Sequence, residues 1–240
     1  MFTLIKKRKD RALKKTAMQA GKSINVDEAP LNEQRTTSRI ALEDKPWEEI
    51  QNTLKIDLSY VKNLAGSAEK TPYKLTLIEK YRALVNRLIE THERLDNLDV
   101  VWWFYLWQID CGLLTEVHDE FKALVLKGLE TPHKWSSNGQ TAYCDIIFKY
   151  SHTANATGND FNVQYLTDAV NDLITGRLAT NAPLKVKMFR LAGDLLLNAK
   201  QHKDALDLYK MVMLIDPNKG GRKTKIKELE ELLDHEENNG

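Results

Sequence analysis

Cysteine is nearly absent from the 240 residues: Cys111 and Cys144 are the only two. They lack CxxC spacing, and two thiols make no disulfide framework in a chain of this length. Buried free thiols in a reducing compartment are the remaining reading. Long apolar runs are also missing. The longest, Val100 to Trp107, falls well short of the roughly 18–20 residues that a membrane span needs. Phe2 to Ile5 is too short for the apolar core of a secretory signal, and it precedes a basic cluster instead of following one. A soluble, cytoplasmic protein is expected. No segment alternates with period two in β-branched residues, which argues against strands.

Signatures of catalysis are missing too. There is no HExxH, no GxSxG and no nucleotide-binding glycine fingerprint. His92, His118, His133, His152, His202 and His235 form no pair at zinc spacing, and each reads as a surface or loop histidine. Gly220-Gly221-Arg222-Lys223-Thr224 only faintly resembles the end of a phosphate loop. Arg222 stands where a glycine is needed and no strand precedes it, so a helix stop and turn is the better reading. Carboxylates are abundant, and in helical stretches they read as solvated faces and caps. No catalytic residue, metal ligand or cofactor is expected.

What the chain has in abundance is helical periodicity. Trp47, Ile50, Leu54, Leu58 and Val61 predict an amphipathic helix over 46–64, ended by Gly66 and Ser67. Thr71-Pro72 marks the next start, and Leu77, Tyr81, Leu84 and Leu88 carry that helix to about residue 92. Asp99 is placed to cap a third, VVWWFYLWQID, which is apolar almost all round and should be the central buried element. This setting makes Trp102, Trp103 and Trp107 core residues instead of a base-stacking platform. Gly112 stops that helix, and Val117, Phe121, Leu124 and Val125 form its return, closed by Gly128 and Pro132. The loop 131–139 holds Trp135, a candidate exposed aromatic contact or a loop anchor. Further helices are expected over 143–154, 163–178 and 223–234.

Phe189 to Pro217 reads as a tight helical hairpin. Phe189, Ala192, Gly193 and Leu196 share one side of its first helix, and Ala205, Tyr209, Val212 and Pro217 continue through its second. Small residues at Gly193 and Ala205 let the two helices approach closely. The pattern resembles one tetratricopeptide unit, a packing module without chemistry of its own. The expected architecture is all-α, a stack of tetratricopeptide-like helical hairpins behind a basic amino-terminal arm.

Charge is distributed unevenly. The formal net charge is +1, yet Lys6, Lys7, Arg8, Lys9, Arg11, Lys14, Lys15 and Lys22 crowd the start, opposed over that stretch only by Asp10. Glu228, Glu230, Glu231, Asp234, Glu236 and Glu237 crowd the end. Residues 1–45 read as a basic arm (1–22) and linker (23–45), 46–217 as an oligomerising helical core, and 218–240 as a short helix with an acidic tail. Lys6, Lys7, Arg8, Lys9, Arg11, Lys14 and Lys15 are the candidate DNA-binding residues. Each phosphate they neutralise releases counterions and adds affinity without sequence preference. A solvated tail, RNA or an acidic protein are the other readings of this cluster. Base reading would need a helix in the major groove, from 1–22 or 46–64.

From about Leu77 to Leu233 the chain resembles the small terminase subunit of Peduovirus-type tailed phages and prophages. The similarity rests on Trp107-Gln-Ile-Asp110-Cys-Gly112, Gly128-Leu129 with Pro132, Leu166-Thr167, Phe189 to Asp216 and Ile226-Lys-Glu-Leu-Glu230. The resemblance implies binding of a cohesive-end packaging site on double-stranded phage DNA in the host bacterial cytoplasm. It also implies a partner, the large terminase subunit with its ATPase motor, and a homo-oligomeric ring. Members are often labelled the endonuclease subunit. The residues here show no nuclease motif, so a non-catalytic specificity role is preferred, with scission in the large subunit. A site-specific endonuclease and a helical-repeat protein-binding adaptor are the alternatives.

Overall fold

Nine α-helices and no strand occupy the described residues, 40–238 of the computed structural model. After a single 3-10 turn at Leu42–Asp44 come α1 (Trp47–Asn63), α2 (Gly66–Thr91), α3 (Asp99–Asp110), α4 (Leu114–Leu126) and α5 (Gly139–Thr157). They are followed by α6 (Val163–Ile174), α7 (Ala182–Asn198), α8 (His202–Ile215) and α9 (Lys223–Asn238). Each helix packs on the next, and α5 also packs on α7. The expected all-α stack of hairpins is therefore the observed architecture.

Local signals explain three of the starts. Asn138, Asn162 and Asn181 cap α5, α6 and α7 by accepting from the backbone N–H groups of Thr141, Gln164 and Leu184. Several boundaries differ from the sequence reading. The 3-10 turn lies inside the segment read as linker, with the Arg87 guanidinium 3.0 Å from both the Glu43 carbonyl and the Asp44 carboxylate. Gly66 and Ser67 open α2 instead of ending α1; only Leu64 and Ala65 separate the two helices, and Glu69 accepts from the Ala65 N–H at 2.8 Å. Pro72 consequently sits inside α2, not at its start, where it has no N–H for the Ala68 carbonyl. Asp99 occupies the first turn of α3 without capping it, and α6 stops at Ile174 instead of 178.

The third helix is the centre. Val100, Val101, Trp102, Phe104, Tyr105, Trp107 and Gln108 of α3 are all buried. Rings then connect one helix to the next. Tyr81 of α2 meets Trp107, and Trp102 and Tyr105 meet Phe121 of α4. Phe121 in turn meets Tyr143 of α5 at 5.9 Å. Stacked, tilted and edge-on ring pairs of this kind add attraction beyond the area they bury.

Three polar groups lie deeper than the sequence reading placed them. Asp57 and Asp172 are buried, not solvated. Asp172 is neutralised by Lys122 of α4 at 2.7 Å and by Arg177 at 3.2 Å. His118 is 2% exposed, not a surface histidine. Its Nδ1 lies 2.7 Å from Asp119, its Nε2 3.0 Å from the Tyr143 hydroxyl, and its ring stacks on Tyr165. Burial holds its pKa below the usual value, although the Asp119 carboxylate opposes that shift. Cys144 is buried and its thiol is pushed up to about 12 by that burial, whereas Cys111 is only partly covered.

The hairpin α7–α8 closes as its small residues demand. Ala192, Ala205, Tyr209 and Val212 are fully enclosed. A methyl group at Gly193 would lie 2.6 Å from the Tyr209 ring. That ring has no room to retreat, because its hydroxyl donates to Asp194 at 2.6 Å. Asp194 also accepts from Arg222 at 2.6 Å and Lys225 at 2.9 Å, which ties α9 to the hairpin. Burial works against the Asp194 charge, but Tyr209, Lys225 and Arg222 outweigh it and hold the carboxyl below its usual pKa.

Stability should respond at both positions. Gly193→Ala should cost about 1–3 kcal/mol by overpacking, read as a lower urea midpoint with an unchanged slope. Because the folded pKa of Asp194 is depressed, its stabilisation is full at neutral pH and is lost as pH falls through that lowered value. The difference in melting temperature between the natural chain and Asp194→Asn should be largest near pH 7. It should close in acid, below the ordinary carboxylate value of 3.8.

Candidate nucleic-acid interface

The seven candidate DNA-binding residues, Lys6, Lys7, Arg8, Lys9, Arg11, Lys14 and Lys15, lie outside the described residues. Ten of the 35 basic side chains and only four of the 34 acidic ones precede Ile40, so the helical body after it is net negative. Its overall charge repels a polyanion, and a nucleic-acid surface on it must be local.

The first helix carries one local face that meets this requirement of charge. Ile50, Leu54 and Asp57 are its buried positions, with Leu58 and Val61 packed partly against the same core. A spacing of 3.6 residues per turn then turns Asn52, Lys55, Ile56, Ser59 and Asn63 outward together, and all five are exposed. Gln51, Tyr60 and Lys62 flank them and are exposed as well. From Gln51 to Asn63 no carboxylate reaches this face, because the only acid in the stretch is Asp57. Neither Lys55 nor Lys62 forms an ion pair among the described residues. Glu48 and Glu49 sit one turn earlier, at the positive end of the helix dipole.

Asp57 sets the rotation of this helix. The Tyr73 hydroxyl donates to it at 3.1 Å, the Tyr81 hydroxyl at 2.7 Å and the Lys80 ammonium at 2.6 Å. All three donors come from α2. Burial, followed by the Asp57 charge, pushes the Tyr73 hydroxyl up to about 12. Burial and a hydrogen bond to the same carboxylate raise Tyr81 further still. Both phenols therefore stay protonated and remain donors across the physiological range. The Tyr73 ring also supports Tyr60, 4.5 Å away between centroids, which leaves Tyr60 52% exposed on the outward face.

The amphipathic spacing of α1 was readable from Trp47 to Val61. The Asp57 anchor was not, because its donors lie 16 to 24 residues downstream. Trp135 both anchors and exposes: it stands edge-on to Trp102 and Trp103 and remains 39% exposed. It borders a 660 Å³ groove beside Ile109, Ile146 and Tyr150. Among the described residues no cluster of three His, Cys, Asp or Glu side chains could hold a metal ion. No helix among them is long and apolar enough to cross a membrane.

Comparison with known families decides the lineage. The sequence pattern of the phage small terminase subunit matches residues 51–181, more than half of the chain. The chain belongs to that family. No curated protein and no solved structure matches it. In this small terminase subunit the match begins at Gln51, so it takes in the outward face of α1, earlier than the resemblance starting near Leu77. It covers Trp107–Gly112, Gly128–Pro132 and Leu166-Thr167. It ends before Phe189, leaving the tetratricopeptide-like hairpin outside.

Removal of the anchor tests this geometry. Asp57→Ala leaves the buried Tyr81 phenol and the partly buried Tyr73 phenol without an acceptor and should cost about 1–3 kcal/mol. Chemical denaturation will measure that loss, while Lys55→Ala on the opposite face should stay within about 0.5 kcal/mol.

Proposed function

We propose that this terminase small subunit recognises the cohesive-end packaging site on double-stranded phage DNA. It then brings that site to the large subunit, which supplies the ATPase motor and the cutting. The observation that supports this reading is the outward face of α1. Asparagine and glutamine pair with adenine through two hydrogen bonds, lysine reaches guanine, and an apolar side chain fits the thymine methyl. Asn52, Lys55, Ile56, Ser59 and Asn63 offer that set on one rigid helix with no carboxylate among them. The family match covers every one of these positions.

Lys6, Lys7, Arg8, Lys9, Arg11, Lys14 and Lys15 take the complementary role. They neutralise phosphates, which positions the protein without carrying sequence information. Assembly of copies into a ring repeats the site, and linked sites raise effective affinity without any new contact. Specificity and general affinity therefore reside in different residues, and substitution separates them.

Fluorescence anisotropy with a cohesive-end duplex and a scrambled duplex of equal length, across a salt series, tests the division. Replacing Lys6, Lys7, Arg8 and Lys9 with alanine should weaken both duplexes alike. The salt slope should flatten by about 0.9 for each phosphate that is no longer neutralised. Asn52→Ala and Asn63→Ala should instead reduce the preference for the cohesive end, each by about 1–3 kcal/mol where it pairs with a base. A preference unchanged by both asparagine variants would take base reading away from α1.

A further inference from the structure

A second surface lies on the other end of the helical stack. α6, α7 and α8 meet around a groove of 370 Å³. Ala192 and Leu196 of α7 form its floor, Val170 and Ile174 of α6 one wall, and Leu208 and Met211 of α8 the other. Ile174 is 44% exposed, and one turn beyond Met211 the side chain of Leu214 is 82% exposed. Apolar surface therefore continues from the groove onto the outer face of α8. Single exposed apolar residues are ordinary, but a concave strip shared by three helices is not.

The rim has one sign of charge. Asp204 and Asp207 of α8 border the groove, and no lysine, arginine or histidine lines it. Both carboxylates are exposed, and neither has an ion-pair partner among the described residues. Three nearby acids are neutralised, Asp172 by Lys122 and Arg177, Asp194 by Arg222 and Lys225, and Glu230 by Lys210, whereas Asp168 meets Gln164 and Asp216 the Lys219 N–H. An apolar trough flanked by two exposed carboxylates, neither in a direct ion pair though Asp207 lies within the field of Lys210, matches one kind of ligand, an amphipathic helix with a cationic margin. Such helices dock by laying apolar residues at i, i+3 and i+4 into a groove, and opposite charge at the rim sets orientation and association rate. Duplex DNA fits poorly, since its phosphates would face Asp204 and Asp207.

We infer that the α6–α7–α8 groove is the docking site for a cationic amphipathic helix of the large terminase subunit. The inference deepens the proposed recruiting role and rests on it. It places recruitment on a surface separate from the outward face of α1, so DNA and the motor subunit are held by different helices.

The probe is a synthetic helix of leucine and lysine, about 18 residues or five turns long, with leucines at i, i+3 and i+4. A peptide of the same composition with scattered leucines is the control. Both are titrated against the full chain by fluorescence anisotropy. The helix should bind at least about tenfold more tightly than the control, a difference of about 1.4 kcal/mol. Asp204→Asn combined with Asp207→Asn, and separately Ile174→Glu, should each remove that advantage. Because these side chains are exposed, both variants should fold and keep the cohesive-end preference, so failure here is distinguishable from failure of the DNA reading. The same helix should displace purified large subunit from the natural chain. Peptide affinity unchanged by both variants overturns the inference, as does large subunit that stays bound at saturating peptide. Loss of the oligomer in the Asp204/Asp207 variant, seen by native mass measurement, also overturns it and assigns the groove to a second copy.

Discussion

A helix without a polar side must be surrounded, and α3 is that helix. Trp102, Tyr105 and Trp107 project in different directions from one short segment, so no single partner covers them. α2 takes Trp107 through Tyr81, and α4 takes Trp102 and Tyr105 through Phe121. The loop after α4 folds Trp135 over the remaining side of Trp102 and onto Trp103. Phe121 passes the contact on to Tyr143, and Tyr143 meets His118. The order of the stack follows from where this aromatic surface has to be covered.

The buried charges act differently. Hydrophobic burial holds helices together without fixing how far each turns about its axis. Asp57 does fix it, because a carboxylate desolvated at that depth is tolerable only where Tyr73, Tyr81 and Lys80 converge on it. Asp172 makes a comparable demand between α4 and α6 through Lys122, and Asp194 gathers α7, α8 and α9. Three acids thus set orientations that apolar contacts alone would leave loose. That work is paired with a cost: Asp57 and Asp172 lose nearly all their hydration and Asp194 part of it, and each is destabilising once its partners are removed.

Periodicity made the helices legible, and with them the central place of α3 and the close approach at Gly193. Interruptions were harder to read. Thr71-Pro72 is a strong local start signal, yet α2 begins at Gly66, since the two-residue link to α1 leaves no slack for a later start. His118, Asp57 and Asp172 looked like surface residues because their partners are remote in sequence; Tyr143 is 25 positions from His118. The candidate reading face of α1 was implicit in the amphipathic spacing. Its lack of a carboxylate from Asn52 onward was not, since that depends on Asp57 turning inward; Glu48, four residues before Asn52, lies on the same side. The acidic groove on α8 joins residues of three helices and has no linear signature at all.

The two-sided build of α1 bears on how such a protein changes over time. Everything that clamps the helix lies on its inner half, at Ile50, Leu54 and Asp57, and Asn52, Lys55, Ser59 and Asn63 make no contribution to that clamp. Substitutions at the outer positions can accumulate without loosening the scaffold. Under the proposed base-reading role, a lineage can therefore shift to a new target sequence by single steps, each leaving a folded protein behind.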